Sequence, residues 1–453
     1  MTPPNRHPQD DGYSAGGPHA RGGDGARRRA FEALMAVQER GEGSQGAVDR
    51  AARRVPALST MDRGLATELV YGVLRRQRPL DRWLDGALDR GLRGVDPAAL
   101  TAMRLGLYQL AWLDRVPDHA AIAATIDENR EAIGRGKVGF VNAVLRRMSR
   151  DRPWQAGVGP TLPPWIETRV RTYAATLKLD ADALVGAFAE RAPLQAHVVA
   201  PARATALQAF AADGIDVATV GGIPGAFEVL DGGLFAGRLF EARQVIAQDA
   251  ASAAVVEWVG AAPGMTIADV AAGRGAKSLF LSTAGAAVTA VDIGGPRLAE
   301  AARLADWAGW PLADTLATDA SSPIDLPEAS FDAVLLDAPC SGLGTIRRRP
   351  EIAQRRRAAD LTANHDLQLA MARRCADLVR VGGIMVYAVC SFAEEEGPLV
   401  VARLLAERPD LQRAPPDDHQ AWATALLDER GDLRTHPLWH GVDAFYAARL
   451  IRR

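Results

Sequence analysis

Phe331-Asp-Ala-Val-Leu-Leu-Asp-Ala-Pro-Cys340-Ser-Gly342 and, farther on, Gly383-Ile-Met-Val-Tyr-Ala-Val-Cys390-Ser-Phe392 are the stretches from which the fold is read. In each, an unbroken apolar run, Val334 to Leu336 or Ile384 to Val386, is bounded by turn formers. That is the pattern of a strand buried on both faces of a parallel sheet. Each strand ends on a cysteine. Ligands of open α/β sheets bind just beyond the carboxyl ends of such strands, so Cys340 and Cys390 are expected to open into one crevice beside Asp337.

Working outward, strands and helices alternate from Gln248 onward, predicting a doubly wound domain. Its first strand, Met265 to Val270, runs into Ala271-Ala-Gly273-Arg-Gly275-Ala-Lys277-Ser278 and a helix. Small residues there let backbone approach a ligand at a helix N-terminus. The second strand, Ala287 to Val291, ends in Asp292, placed to accept hydrogen bonds from ribose hydroxyls. A third strand region ends near Asp319. The C-terminal Asp443-Ala-Phe445-Tyr-Ala-Ala-Arg449-Leu reads as a closing antiparallel strand.

A thiol at a strand end serves an enzyme when it can become a thiolate and something nearby needs a nucleophile. The alternative, two ordinary buried cysteines, is outweighed by the strand-end placement and the flanking Asp-Ala-Pro. Cys375 shows the bland case: Leu367, Met371, Cys375 and Leu378 share one predicted helix face, which reads as core.

Asp-Ala-Pro-Cys after a hydrophobic strand, a second strand ending in Cys-Ser, and Arg347-Arg348-Arg349-Pro350-Glu351-Ile352 downstream resemble the RNA cytosine-5 methyltransferases, in particular the bacterial RsmB (Sun/Fmu) family. The resemblance implies that Cys390 is the nucleophile that adds to cytosine carbon 6, that Cys340 assists release and that Asp337 hydrogen-bonds N3. It implies S-adenosyl-L-methionine as cofactor, held by Ala271, Gly273, Gly275, Lys277, Asp292, Arg297, Asp319 and Asp337. The family's usual turn is Ala-Ala-Pro-Gly-Gly-Lys-Thr. This chain departs from it at Gly273, Arg274, Ala276 and Ser278 and retains Lys277, which puts cofactor affinity in question more than cofactor identity.

Residues 1–25 are rich in Gly, Pro, Asp and Arg and are expected to be a disordered tail. Residues 26–150 are helical throughout, with apolar stripes such as Leu65, Leu69, Val73 and Leu74, or Phe140, Val141, Val144 and Leu145. Thr67-Glu-Leu-Val-Tyr71-Gly-Val-Leu-Arg-Arg76 and Phe140-Val-Asn-Ala-Val-Leu-Arg146 resemble the NusB-like RNA-binding domain of that family. Residues 151–245 read as a linking α/β domain and residues 246–453 as a Rossmann-like class I methyltransferase domain.

The formal net charge is -2, but residues 1–150 hold 24 Lys+Arg against 18 Asp+Glu. This favours a polyanion contact in the N-terminal third, although a modest excess also suits a solvated surface. Arg75 and Arg76, and the Arg347, Arg348 and Arg349 run beside the crevice, are candidate RNA contacts. Three cysteines form no disulfide framework, which points to a reducing, cytoplasmic setting. No Cys/His spacing suggests a metal, no apolar run suggests a membrane span, and a monomer is expected.

The reading is S-adenosylmethionine-dependent methylation of carbon 5 of a cytosine in small-subunit rRNA. The alternatives are the same chemistry on tRNA or 23S rRNA, and a non-catalytic RNA-binding or ribosome assembly factor.

Overall fold

The computed structural model describes residues 25–54 and 58–453. The expected tail therefore lies outside the described residues except for Gly25. By contact the chain divides into two compact units.

The first unit runs to Gly157, less Gly43–Gln45 and Leu74–Pro79, which group with the second. Its helices are α1 (Ala26–Arg40), α2 (Ser44–Arg54), α3 (Thr60–Arg75), α4 (Gln77–Ala87), α5 (Pro97–Trp112), α6 (Asp118–Ile133) and α7 (Arg135–Asp151). Asp96 caps α5 by accepting the Ala99 N–H at 3.1 Å, and Pro97 presets the first turn. Leu69, Val73, Leu105, Leu107 and Leu145 are buried. On α7 the buried face is Val141, Val144, Leu145 and Met148, at helical spacing. Phe140, read from sequence as part of that stripe, falls beside it and is 45% exposed.

The second unit begins at Val158. After α8 (Pro164–Thr176) and α9 (Ala181–Ala189) comes a small antiparallel sheet of β1 (Gln195–Val198), β2 (Asp216–Thr219), β3 (Ala226–Asp231) and β4 (Val245–Ala247), in order β2-β3-β1-β4. Helices α10 (Ala206–Ala212) and α11 (Arg238–Glu241) are interleaved with it. The sequence suggested this region as a linking domain. Its Val198, Phe210, Phe227 and Val245 nevertheless share one hydrophobic core with Val255, Trp258, Ile267 and Val386 of the following region.

That region consists of α12 (Ala250–Val259), β5 (Thr266–Val270), α13 (Ala276–Thr283), β6 (Ala287–Asp292), α14 (Gly295–Ala308), β7 (Asp314–Ala317), β8 (Phe331–Asp337), α15 (Ile352–Arg355), α16 (Ala358–Leu378), β9 (Val379–Val389), α17 (Pro398–Glu407), β10 (Leu411–Arg413), β11 (Leu433–Arg434) and β12 (Tyr446–Arg452). Its sheet runs β10-β12-β9-β8-β5-β6-β7, with β11 on β12. Strands β5 to β9 pair in parallel, and β12 lies antiparallel to β9, as the closing strand was expected to. Met385 to Val389 are wholly buried, each large apolar side chain contributing about 1.5–3 kcal/mol.

The order reverses between β5 and β8, and a doubly wound sheet opens its ligand crevice at such a switch point. Cys375 is fully buried on α16, as expected, but Leu367 is 38% exposed. The buried face is Leu361, Gln368, Met371, Ala372, Cys375 and Leu378, and Leu367 lies off it. Among the described residues no helix is long and apolar enough to cross a membrane.

Candidate active site

In the β8–β9 register Asp337 stands opposite Ala388, so the loops beyond both strands leave the sheet side by side. The Sγ atoms of Cys340 and Cys390 lie 3.2 Å apart, and both thiols are partly exposed. The hydrogen bond to Cys390, then burial, then the negative charges of Cys390, Glu396 and Asp337 push the Cys340 thiol well above its ordinary range. Cys340 is thereby kept protonated, 3.2 Å from the sulfur of its neighbour.

Asp337 closes β8 and accepts a hydrogen bond from Lys277 Nζ at 2.6 Å. Burial opposes the charge on Lys277, but Asp337, and further off Asp269 and Cys390, hold its ammonium above the usual lysine range.

Two cavities flank these groups. One, of about 440 Å³, is lined by Asp269, Ala271, Ala272, Lys277, Asp337 and Cys390, among others. The other, of about 470 Å³, is lined by Asp337, Pro339, Cys340, Arg349, Arg356 and Cys390, among others. They meet at Asp337, Arg349 and Cys390.

The turn after β5 is tightly specified. Ala271 has φ 62°, an uncommon left-handed conformation for a residue with a Cβ. Gly275 has φ 80°, and a Cβ there would strike Ala301 of α14. Arg274, where the family's turn has proline, reaches outward to Glu300 at 3.1 Å, so its bulk is held toward solvent.

Asp292 is buried at the end of β6. Its carboxylate accepts the N–H groups of Gly273 (3.0 Å) and Gly294 (2.7 Å) and pairs with exposed Arg297 at 2.8 Å. Gly273, Asp292 and Arg297 are thus brought together. Asp319 stands apart, exposed beyond β7, where the Ser321 hydroxyl and N–H hydrogen-bond its carboxylate and hold it below the usual carboxylate range.

The arginines sort differently from their reading as one cationic run. Arg347 is 6% exposed and donates to the carbonyls of Glu190 (3.4 Å), Arg191 (2.9 Å) and Gly441 (2.7 Å), so it supports loops and is not available to a polyanion. Arg348 is held by Asp249 at 2.6 Å and Asp443 at 3.2 Å. Arg349 is exposed and lines both cavities. Arg75 and Arg76 are half-buried, with Arg76 3.2 Å from Glu190.

Sequence reasoning missed Asp269. It is wholly buried on β5, its Oδ2 accepts the Ser278 hydroxyl at 2.5 Å, and its Oδ1 has no hydrogen-bond partner. Burial pushes its carboxyl up to about 7. The signal was visible: a carboxylate inside an apolar strand, Ile267-Ala-Asp269-Val270. Among the described residues no cluster of His, Cys, Asp or Glu is arranged to hold a metal.

The strand order, the glycine turn after the first parallel strand and the acidic end of the second define a class I methyltransferase domain. Residues 257–451 match the family model for 16S rRNA methyltransferase RsmB/F, and residues 24–150 match the NusB family. The ribosomal RNA small subunit methyltransferase B of Thermus thermophilus is 34% identical, over 94% of this chain and 98% of that one. Its counterpart in Xylella fastidiosa (strain 9a5c) is 32% identical, over 88% and 94%. The crystal structure of PH0851 shares the fold, with a TM-score of 0.78 at 22% identity over 94% of this chain and 98% of that one. The chain belongs to the RsmB/F methyltransferase family, with a NusB-type helical domain at its N-terminal side.

Proposed function

We propose that this protein methylates carbon 5 of a cytosine in 16S rRNA, using S-adenosyl-L-methionine, through a covalent bond between Cys390 and carbon 6 of the base. The observation that carries the reading is the pair of partly exposed thiols 3.2 Å apart, beside the Lys277–Asp337 pair where two cavities meet. The choice of RNA is supported by the relatives, which are named for small-subunit ribosomal RNA.

The residues around the β5 turn suit the cofactor. Ala271, Ala272 and Lys277 line the first cavity together with Asp269, whose Oδ1 has no hydrogen-bond partner, and Asp292 at the end of β6 offers a carboxylate for ribose hydroxyls. Bound there, S-adenosyl-L-methionine supplies an electrophilic methyl group.

Cytosine carbon 5 is a weak nucleophile until a thiolate adds at carbon 6. Cys390 makes that bond, the ring becomes an enamine, and Asp337 presents the hydrogen bond that stabilises N3. Lys277, 2.6 Å from Asp337, is the adjacent store of the proton. After carbon 5 accepts the methyl group, its proton passes to solvent and that electron pair forms the 5,6 double bond as the bond from carbon 6 to sulfur breaks, with the electrons of that bond on Cys390. N3 gives back to Asp337 the proton that Asp337 lent it during attack, and the S–H of Cys340 stabilises the departing thiolate. Arg349 and Arg356 border the second cavity and would hold backbone phosphates beside an unstacked base. Arg75 and Arg76 remain proposed contacts to more distant RNA.

Incubating the protein with unmodified small-subunit rRNA and labelled S-adenosyl-L-methionine, then mapping the label, tests this reading. 5-Methylcytosine in 16S rRNA is expected; label on another base or another RNA would overturn it.

A further inference from the structure

Glu396 lines neither cavity, yet both cysteine loops converge on it. It is fully buried although it closes the acidic run Glu394-Glu395-Glu396. Its Oε1 accepts the Ser341 N–H at 2.6 Å and Asn364 Nδ2 at 2.7 Å. Its Oε2 accepts the hydroxyls of Ser341 and Ser391, each at 2.5 Å. A carboxylate has about four acceptor sites, and all four are filled.

Ser341 follows Cys340 directly, and Ser391 follows Cys390. One side chain therefore ties together the two loops that carry the thiols, and through Asn364 fastens them to α16. The same helix holds each loop separately: Gln368 Nε2 donates to Pro339 O at 2.9 Å, and His365 Nδ1 lies 2.8 Å from Glu395 O. Tyr387 of β9 donates its hydroxyl to the Glu396 carbonyl at 2.5 Å, fixing the residue's own backbone.

We propose that Glu396 is the positioning residue of the two-thiol centre, its carboxylate spanning Ser341 and Ser391 so that the Cys340 and Cys390 sulfurs are held in contact. The consequence for catalysis rests on the reading that Cys390 attacks and Cys340 assists release, whereas the geometric claim does not. The negative charge that Glu396 contributes beside Cys340 acts in the same direction, keeping that thiol protonated and able to donate. The span matters as much as the charge: aspartate at this position keeps the charge but, one methylene shorter, cannot reach both serine hydroxyls.

The test compares the full-length protein with Glu396→Asp. S-Adenosyl-L-methionine affinity, which the proposed function assigns to the β5 turn and Asp292, neither of which bonds to the Glu396 carboxylate, reports the integrity of the fold. Diamide then probes the thiols directly: it takes two electrons and two protons from Cys340 and Cys390, leaving a disulfide and the reduced hydrazine, and peptide mass mapping measures the rate. The parent should close this disulfide readily, and Glu396→Asp about tenfold or more slowly with cofactor affinity within twofold. RNA adduct formation in a single turnover should fall by a similar or larger factor, since small misplacements of reacting groups cost on the order of a hundredfold.

Parent-like disulfide and adduct rates in Glu396→Asp would overturn the proposal. If that variant loses cofactor binding as well, Ser391→Ala carries the test, because it removes one of the four donors and leaves the others; slowed disulfide closure supports the proposal and an unchanged rate overturns it. Slowed closure with no RNA adduct even in the parent would leave the positioning role standing and overturn the cysteine chemistry instead.

Discussion

Cys340 and Cys390 stand sulfur to sulfur at 3.2 Å on two loops fifty positions apart in the chain, with the hydrogen bond between them raising the Cys340 thiol. At neutral pH iodoacetamide should therefore modify Cys390 well before Cys340, and leave buried Cys375 untouched. Mass mapping of the alkylated protein checks this; equal labelling of Cys340 and Cys390 would contradict it.

Asp292 both faces the proposed ribose site and pins the turn through Gly273 and Gly294. Asp292→Ala should weaken S-adenosyl-L-methionine binding by about tenfold or more, roughly 1.4 kcal/mol, in a calorimetric titration. Unchanged affinity would remove Asp292 from the cofactor site.

Arg347 and Arg349 should separate cleanly. Arg347→Ala removes a buried guanidinium from three carbonyls and should lower the melting temperature, at a cost on the order of 2–4 kcal/mol. Arg349→Glu should leave the melting temperature unchanged, weaken RNA binding and reduce the slope of log affinity against log salt by about one. An unaltered salt slope would make Arg349 a solvated surface residue.

Asp269 makes stability depend on pH in an unusual direction for a carboxylate. Its folded value of about 7 lies above the ordinary 3.8. Between those values the native state holds a proton that the unfolded chain has released, so stability falls as pH rises through the window and levels off above it. The full effect is at most about 4 kcal/mol. Asp269→Asn can still accept the Ser278 hydroxyl. Its melting temperature should gain on the parent from pH 5 to pH 7 and run parallel above that; parallel curves throughout would contradict the buried protonated carboxyl.

The strands at the site were legible because burial on both faces leaves an unbroken apolar run, and Cys340, Cys390 and Asp337 follow those runs directly. The fates of Arg347 and Arg348 were not legible. Three consecutive arginines carry no local signal of their fates, and what engages two of them, the carbonyls of Glu190, Arg191 and Gly441 for Arg347 and the carboxylates of Asp249 and Asp443 for Arg348, comes from distant parts of the chain. Glu396 was hidden for the same reason: its acidic neighbours suggest a wet surface, and only the convergence of Ser341, Asn364 and Ser391 reveals a buried acceptor. The small sheet was half seen, since β1 and β3 carry β-formers such as Val198, Phe227 and Val229 whereas β2, Asp216–Thr219, is largely exposed and β4 has three residues.

The most direct test of the central claim is a denaturing gel of the Cys340→Ala protein incubated with unmodified small-subunit rRNA and S-adenosyl-L-methionine. The account predicts an RNA–protein adduct that survives detergent and disappears when Cys390 is also changed to alanine. An adduct that persists in the double variant, or none at all while cofactor and RNA both bind, would contradict attack by Cys390.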